Sequence, residues 1–338
     1  MIFNYFSGPE EWLPFVFAGL MGVSILIYVV LDGFDLGVGI LLPFADDEEK
    51  DMMVASIGPF WDANETWLVL AIGLLLVAFP AAHGEILTAL YLPATLMLIG
   101  LIMRGVAFEF RVKSPPQYKP AWNGVFFAGS LITALCQGFM LGLYIMGLEV
   151  TLATLGFAAL TAGCLTVGYS MIGGTWLTMK TEGALQVKSI DWAQRGVFGA
   201  LLGVGLVSLA TPLVSLRIFD KWFDWPEVAY LAPIPVLTAV VFVSLWFSIK
   251  AVKARPEHRA GRPFYLSMLL FILAFLGLAY SFYPYVVPEK MTIYESASAP
   301  ESLMIILWGT IFVLPTILGY SALSYYLFRG KAKRLTYT

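Results

Sequence analysis

The sequence predicts an all-α membrane protein that crosses the bilayer nine times. Of its 338 residues, 59% are hydrophobic and only 13% are charged, whereas charged residues make up about a quarter of an average soluble protein. Nine runs contain no charged residue and approach or exceed the roughly 20 apolar residues that a span needs. We therefore expect one integral membrane domain, with all charged residues outside the spans. The runs are 12–31, 66–82, 86–103, 121–148, 150–179, 196–216, 228–247, 264–288 and 302–328.

The basic residues predict the orientation of these spans. With nine crossings, 17 of the 20 Lys and Arg residues fall in segments on one side of the membrane and three on the other. Because basic loops stay in the cytoplasm, the N-terminus is expected outside and the C-terminus in the cytoplasm. The second and third runs are short, and residues 80–85 between them form either a tight hairpin or a re-entrant dip. The dip would place basic loops on opposite sides, so we expect the hairpin.

Two acids follow the first run, on the cytoplasmic side. The apolar run ends at Leu31, and Asp32 and Asp35 come next among glycines. Anions are unfavourable at a helix C-terminus, so these acids indicate a water-filled inlet or a basic partner. The alternative is a solvated helix end with a glycine-rich turn. The acidic run 46–51 that follows is expected to be a solvated loop.

The segment 58–67 places polar residues at the start of the second run. Asp62 and Glu65 are three residues apart and share one face of a helix, next to Trp61 and Asn64. Asp62 and Asn64 can alternatively be read as helix-capping residues.

Acids and an arginine from three consecutive spans are predicted to meet at the cytoplasmic face. Such a cluster is typical of a proton inlet and equally of an inert structural clasp, because paired charges are tolerated near lipid in both cases. The sequence leaves both open. The residues are Asp32, Asp35, Asp62, Glu65, Arg104 and Glu109.

Metal-binding and haem-binding patterns are not found. His83 lies in the expected outer turn and His258 in an arginine-rich inner loop, whereas a membrane haem normally takes a histidine ligand from within the bundle. Cys136 and Cys164 lie singly in apolar runs and are interpreted as core residues. We therefore expect this chain to ligate no metal and no haem.

Three segments together resemble subunit II of the cytochrome bd-type terminal quinol oxidases. They are Leu-Asp-Gly-Phe-Asp-Leu-Gly-Val-Gly at 31–39, Gly-Pro-Phe-Trp-Asp-Ala-Asn-Glu-Thr-Trp-Leu at 58–68 and Arg-Gly-Val-Ala-Phe-Glu-Phe-Arg at 104–111. The best-known members have His-Trp-Asp-Gly-Asn-Gln where this chain has residues 60–65. With its compact length, the chain is in this respect more similar to the cyanide-insensitive oxidase branch.

The resemblance implies a fold and a set of partners. The fold is two four-helix bundles, about 1–149 and 150–300, plus a peripheral helix at about 302–328. The partner is a haem-bearing subunit I that holds haem b and haem d, with a small third subunit, a structural quinone and membrane lipid as further candidates and no nucleic acid. The complex oxidises quinol, reduces dioxygen and consumes protons from the cytoplasm. Dioxygen is expected to reach it through the apolar bundle.

The resemblance also assigns roles to individual residues. Asp62, in the Trp61-Asp62 motif, lies on a proton path toward the oxygen-reducing haem. Glu65 belongs to the same motif, while the Phe60 substitution removes a histidine found in other members. The residues that match positions near the subunit interface are Asp32, Asp35, Arg104 and Glu109.

Two other functions remain as alternatives. An ion-coupled secondary transporter fits helices broken by glycine and proline together with inner acids, but it predicts a charged group near the bilayer midplane. A purely structural scaffold explains the packing but not the acids.

Overall fold

The computed structural model describes residues 8–214 and 216–333, which are predominantly helical. Short 3-10 turns cover Leu42–Phe44 and Pro116–Tyr118, and a two-stranded antiparallel sheet, β1 (Tyr285–Val287) and β2 (Met291–Thr292), precedes the last helix. The helices are α1 (Pro9–Leu41), α2 (Asp47–Ile57), α3 (Trp61–Ala78), α4 (Pro80–Lys113), α5 (Lys119–Ile145), α6 (Leu152–Lys180), α7 (Gly183–Val214), α8 (Leu216–Phe223), α9 (Glu227–Leu231), α10 (Pro233–Ala254), α11 (Arg262–Phe282) and α12 (Pro300–Leu327).

The number of spans agrees with the prediction. Within the described part of the chain, nine helical segments are long and apolar enough to cross a membrane, namely those containing α1, α3 to α7 and α10 to α12. The helices are longer than the apolar runs, however. Helix α1 continues past Leu31 to Leu41 and carries Asp32 and Asp35, and α4 carries Arg104. The expectation that every charged residue lies outside the spans is therefore wrong. Charged side chains are tolerated within these helices because they are buried against protein and do not face lipid.

The second and third spans remain separate helices. Helix α3 ends at Ala78, only Phe79 separates the two helices, and α4 begins at Pro80. Proline is favoured at the first position of a helix because its missing N–H has no helical partner there. Residues 80–85, expected as a connecting turn, are therefore the first turns of α4, and His83 lies within that helix.

The spans form two groups of four around a central contact. Helices α1, α3, α4 and α5 pack together, as do α6, α7, α10 and α11, and both α5 and α1 pack along α6 to join the groups. Helix α12 is peripheral, since only Leu303 and Ser321 along it are buried. This arrangement agrees with the predicted fold class.

Glycines allow the closest helix contacts inside the chain. A Cβ on Gly37 would lie 1.8 Å from the backbone oxygen of Tyr169, and one on Gly173 would lie 2.5 Å from the carbonyl carbon of Gly37. Helices α1 and α6 therefore touch backbone to backbone. Small residues permit such approaches between membrane helices.

Residues 46–51 do not form the expected loop. They begin helix α2, in which the Asp46 N–H donates to the Glu49 carboxylate at 2.9 Å. Lys188 on α7 bonds both acids at 2.7 and 2.8 Å, and the Asp51 carboxylate accepts from Arg111 on α4 at 2.7 Å. The acids stabilise a helix N-terminus and tie α2 across the end of the bundle. The Lys188 amine also holds the pKa of Asp46 below its ordinary value.

Candidate functional site

A buried arginine forms the centre of the candidate site. The Arg104 Nη2 atom lies 2.6 Å from Asp32 Oδ1 and also forms an ion pair with the Glu65 carboxylate. The side chains of Arg104 and Asp32 are 2% and 0% exposed, whereas that of Glu65 is 29% exposed. Helices α1, α3 and α4 each supply one member of this cluster. The fully buried pair is thus connected to the chain surface by the third member.

A second buried acid is held by an amide. The Asn64 Nδ2 atom donates to Asp35 Oδ2 at 2.7 Å and to the Leu31 carbonyl at 3.3 Å. On its other side, Asn64 Oδ1 accepts from the Tyr325 hydroxyl of α12 at 2.9 Å. The peripheral helix therefore contributes a side chain to the site.

A further polar chain lies deeper in the bundle. Tyr28 is one helical turn before Asp32 on α1, so the two share a face. The Gln137 amide donates to the Tyr28 hydroxyl at 2.6 Å, and the Tyr169 hydroxyl donates to the Gln137 carbonyl at 2.6 Å. These contacts extend the polar region from α1 to α5 and α6.

The cluster lies inside one membrane face. At 1.5 Å per residue, Asp32 and Asp35 lie about 14 and 9 Å before the end of α1, and Arg104 about 14 Å before the end of α4. The alternative of a solvated helix end is wrong, because both aspartates are fully buried. The helix-dipole argument also fails, since neither acid lies in the last turn of α1.

Some buried atoms of the cluster have no hydrogen-bond partner among the described residues. They include Asp32 Oδ2, Asp35 Oδ1, and Arg104 Nε and Nη1. Buried polar atoms are normally satisfied by protein or by ordered water. The cluster thus offers donors and acceptors to water molecules or a mobile proton.

Three of the predicted site residues lie outside the cluster. The Asp62 side chain is exposed, and Glu109 is exposed and pairs with Lys113 at 2.8 Å. Trp61 packs against Phe108, with ring centres 4.9 Å apart. The structure therefore brings together only Asp32, Asp35, Glu65 and Arg104 of the predicted set.

The capping alternative for segment 58–67 is also wrong. The N-cap of α3 is Phe60, with no side-chain cap, and Asn64 bonds to Asp35 instead.

The sequence analysis did not identify four polar residues that extend the cluster, namely Tyr28, Gln137, Tyr169 and Tyr325. The spacing of Tyr28 and Asp32 carries a signal, as does the lone amide Gln137 in an apolar run. Tyr325 carries none, because tyrosines are common at the ends of membrane helices. Its partner Asn64 is 261 residues away.

The described residues of the bundle do not form a cluster of metal-binding side chains. No group of three His, Cys, Asp or Glu side chains among them is arranged to hold a metal. His83 lies in the first turn of α4, and His258 lies in an exposed turn after α10. Neither histidine is buried in the interior of the bundle.

The fold and the site define a polytopic integral membrane protein with an internal acid–arginine cluster. Comparison with known proteins identifies its family. The family model described as cytochrome bd terminal oxidase subunit II matches residues 13–328, and the chain belongs to this family. The predicted resemblance is confirmed, the chain is a subunit of a bacterial cell-membrane respiratory oxidase, and the transporter alternative is not favoured.

Similar proteins cover nearly the whole chain. Cytochrome bd ubiquinol oxidase subunit 2 of Bacillus subtilis is 29% identical, with 92% of this chain and 94% of that protein covered. Cytochrome bd-I ubiquinol oxidase subunit 2 of Escherichia coli K12 is 26% identical, with 95% of each covered. A chain in the bd oxidase structure from Geobacillus thermodenitrificans superposes with a TM-score of 0.77 at 16% identity, covering 94% of this chain and 99% of that one. This structural likeness shows the fold.

Proposed function

We propose that this chain is the subunit of a quinol:dioxygen oxidoreductase that ligates no haem, and that it conducts protons toward the oxygen-reducing haem of its partner. The partner is a haem-bearing subunit I, whose haems supply the electron transfer and oxygen chemistry. The similarity to ubiquinol oxidase subunit 2 of Bacillus subtilis and of Escherichia coli supports this assignment. Dioxygen is apolar and dissolves in lipid, and the apolar bundle gives it access to the complex in the same way. Four further points stay predictions: that the partner holds haem b and haem d, that a small third subunit is present, that a structural quinone is bound, and that the chain belongs to the cyanide-insensitive branch.

The membrane face that carries the cluster is the cytoplasmic one. Most Lys and Arg residues belong to segments at this end of the helices, such as Lys188, Arg111 and Lys253. The positive-inside rule assigns such a face to the cytoplasm. Protons for dioxygen reduction then enter from the side on which the acids lie.

The observation that carries the proposal is a stepwise fall in the exposure of the acids. Asp62 is exposed on the first turn of α3, Glu65 one turn further is 29% exposed, and Asp32 beyond it is fully buried. Protons cross an apolar region only along ionisable groups and water, which are rare in membrane helices unless functional. A graded series of carboxyl groups provides such a route, whereas a clasp needs only the buried pair.

The charges of the cluster make it able to hold a proton. Asp32, Asp35 and Glu65 are three carboxyl groups beside a single guanidinium, Arg104. Burying an unpaired charge is costly, and closely spaced carboxylates do not all ionise. We assign the retained proton to Asp35 Oδ1, because Oδ2 accepts from Asn64 and Oδ1 has no partner among the described residues.

Asp62→Asn in the complex with subunit I tests this function. We expect quinol-driven oxygen consumption to fall about 100-fold, at the low end for loss of a proton-transferring side chain because water replaces part of its role. The visible spectrum should show unchanged haem content. Asp191→Asn is the matched control, since Asp191 is an exposed acid paired with Lys253 at the same face.

The same variant separates the proton path from the clasp. Wild-type turnover in fully assembled Asp62→Asn complex contradicts the proton path. Loss of haem and of the partner subunit, with normal turnover of what remains, supports the clasp.

A further inference from the structure

The end of the peripheral helix α12 is fastened to the motif segment 58–64 by several contacts. The Tyr325 ring stacks on Phe60 with centres 4.5 Å apart and planes 16° apart. The Lys180 amine of α6 donates to the carbonyls of Phe328 and Gly330 at 2.5 and 3.1 Å. Apart from Leu303 near its start, α12 is otherwise scarcely buried, so these contacts hold its C-terminal end in place.

The donors and acceptors around Asn64 fix the orientation of its amide. Asp35 Oδ2 and the Leu31 carbonyl offer only acceptors on one side, so the NH₂ group of Asn64 faces them. The carbonyl of Asn64 then needs a donor on the opposite side. The hydroxyl of Tyr325 supplies it at 2.9 Å.

Without that donor, only the acceptors on the Asp35 side hold the amide in this orientation, so its preference for this orientation is weaker. A rotated amide turns its carbonyl toward the Asp35 carboxylate, where two acceptors repel. Hydrogen bonds to charged groups contribute more than those between neutral groups. The ionised state of Asp35 is therefore sensitive to a hydroxyl that does not touch it.

We propose that Tyr325 is a positioning residue that acts through Asn64 to set the protonation of Asp35. We call the three residues the tyrosine–amide relay. This inference rests on the proposed function for its effect on turnover, but its effect on Asp35 stands alone. The peripheral helix is thereby a working part of the proton site as well as a packing element.

Other groups face Asp35 and remain unchanged in the test. The charged ones are Asp32 on the same helix, Glu65 on α3 and Arg104 on α4. From α6, the Lys180 amine lies 5.3 Å from the Phe60 ring centre. Removing one hydroxyl from Tyr325 leaves all of these in place.

The test compares Tyr325→Phe with Tyr326→Phe in the purified complex with subunit I. The first change removes the hydroxyl and keeps the ring stacked on Phe60. Tyr326, 61% exposed and next in sequence, is the matched control. Infrared difference spectra follow the carboxyl C=O band that Asp35→Asn removes, while oxygen consumption is measured across pH.

We expect Tyr325→Phe to move the midpoint of the Asp35 band, and that of the matching turnover profile, about one pH unit upward. Part of a charged hydrogen bond is lost, and one unit corresponds to 1.36 kcal/mol. Haem content stays at the wild-type level. In the Asp35→Asn background, Tyr325→Phe has no further effect on the profile. Asn64→Leu, which retains Tyr325, moves the midpoint in the same direction and provides a second test if Tyr325→Phe assembles poorly.

The outcomes separate the relay from the proposed function. An infrared midpoint in Tyr325→Phe and Asn64→Leu equal to that of Tyr326→Phe overturns the relay. A shifted infrared midpoint with a turnover profile indifferent to Asp35→Asn supports the relay and rejects Asp35 as part of the proton path.

Discussion

Removing the buried cation, with Arg104→Met, should destabilise the complex strongly. Breaking a buried ion pair from one side typically costs about 3–5 kcal/mol, and both Arg104 and Asp32 are almost fully buried. We therefore expect a destabilisation of about 3–5 kcal/mol.

The assay is a denaturant titration of the complex in detergent, followed by tryptophan fluorescence.

A double variant and a control complete the experiment. Arg104→Met with Asp32→Asn removes both charges and should recover at least about 2 kcal/mol, as expected for contacting residues. Lys253→Met breaks an exposed pair, 53% and 42% exposed, and should lose less than about 1 kcal/mol. Equal losses from Arg104→Met and Lys253→Met refute the reasoning.

Two further changes test the packing around the site. Gly37→Ala places a methyl group against the α6 backbone and should destabilise by about 3 kcal/mol or more, while Gly19→Ala on the same helix, where a Cβ meets open space, should be neutral or stabilising by up to about 1 kcal/mol. Both are measured by the same titration, and equal effects would contradict the backbone contact. Lys180→Met removes two hydrogen bonds to the end of α12 and should speed amide hydrogen exchange around Phe328, with Lys250→Met as a control outside this contact.

Much of the fold was predictable because hydropathy along the chain decides which segments enter lipid. The nine spans follow from the apolar runs and the distribution of basic residues, whereas the connection between the second and third spans lies at Phe79 and not at the predicted residues 80–85. The limits of the helices did not follow. In a hydropathy profile, Asp32 and Arg104 each mark the end of an apolar span. In the structure the two opposite charges form an ion pair although they are 72 positions apart in sequence. Only the packing of α1 against its neighbours reveals this pair.

The candidate site was predictable in part. Acids near the ends of three consecutive spans indicated a cluster, and four of the residues meet as expected. The burial of each acid was not readable: Asp62 and Glu65 differ by one helical turn, and only one of them faces Arg104. Similarly, the acidic run 46–51 predicts a solvated loop, but ion pairs with basic residues of α4 and α7 stabilise it as the start of a helix.

The weak burial of α12 has a consequence for biogenesis. This helix is apolar enough to remain in lipid without its neighbours, and during translation it leaves the ribosome after the other eleven have emerged. The hydrogen bond from Tyr325 to Asn64 therefore forms only after most of the protein has been inserted. A nascent chain interrupted before α12 would be membrane-embedded and largely packed, yet its buried amide would still lack the donor that selects its orientation.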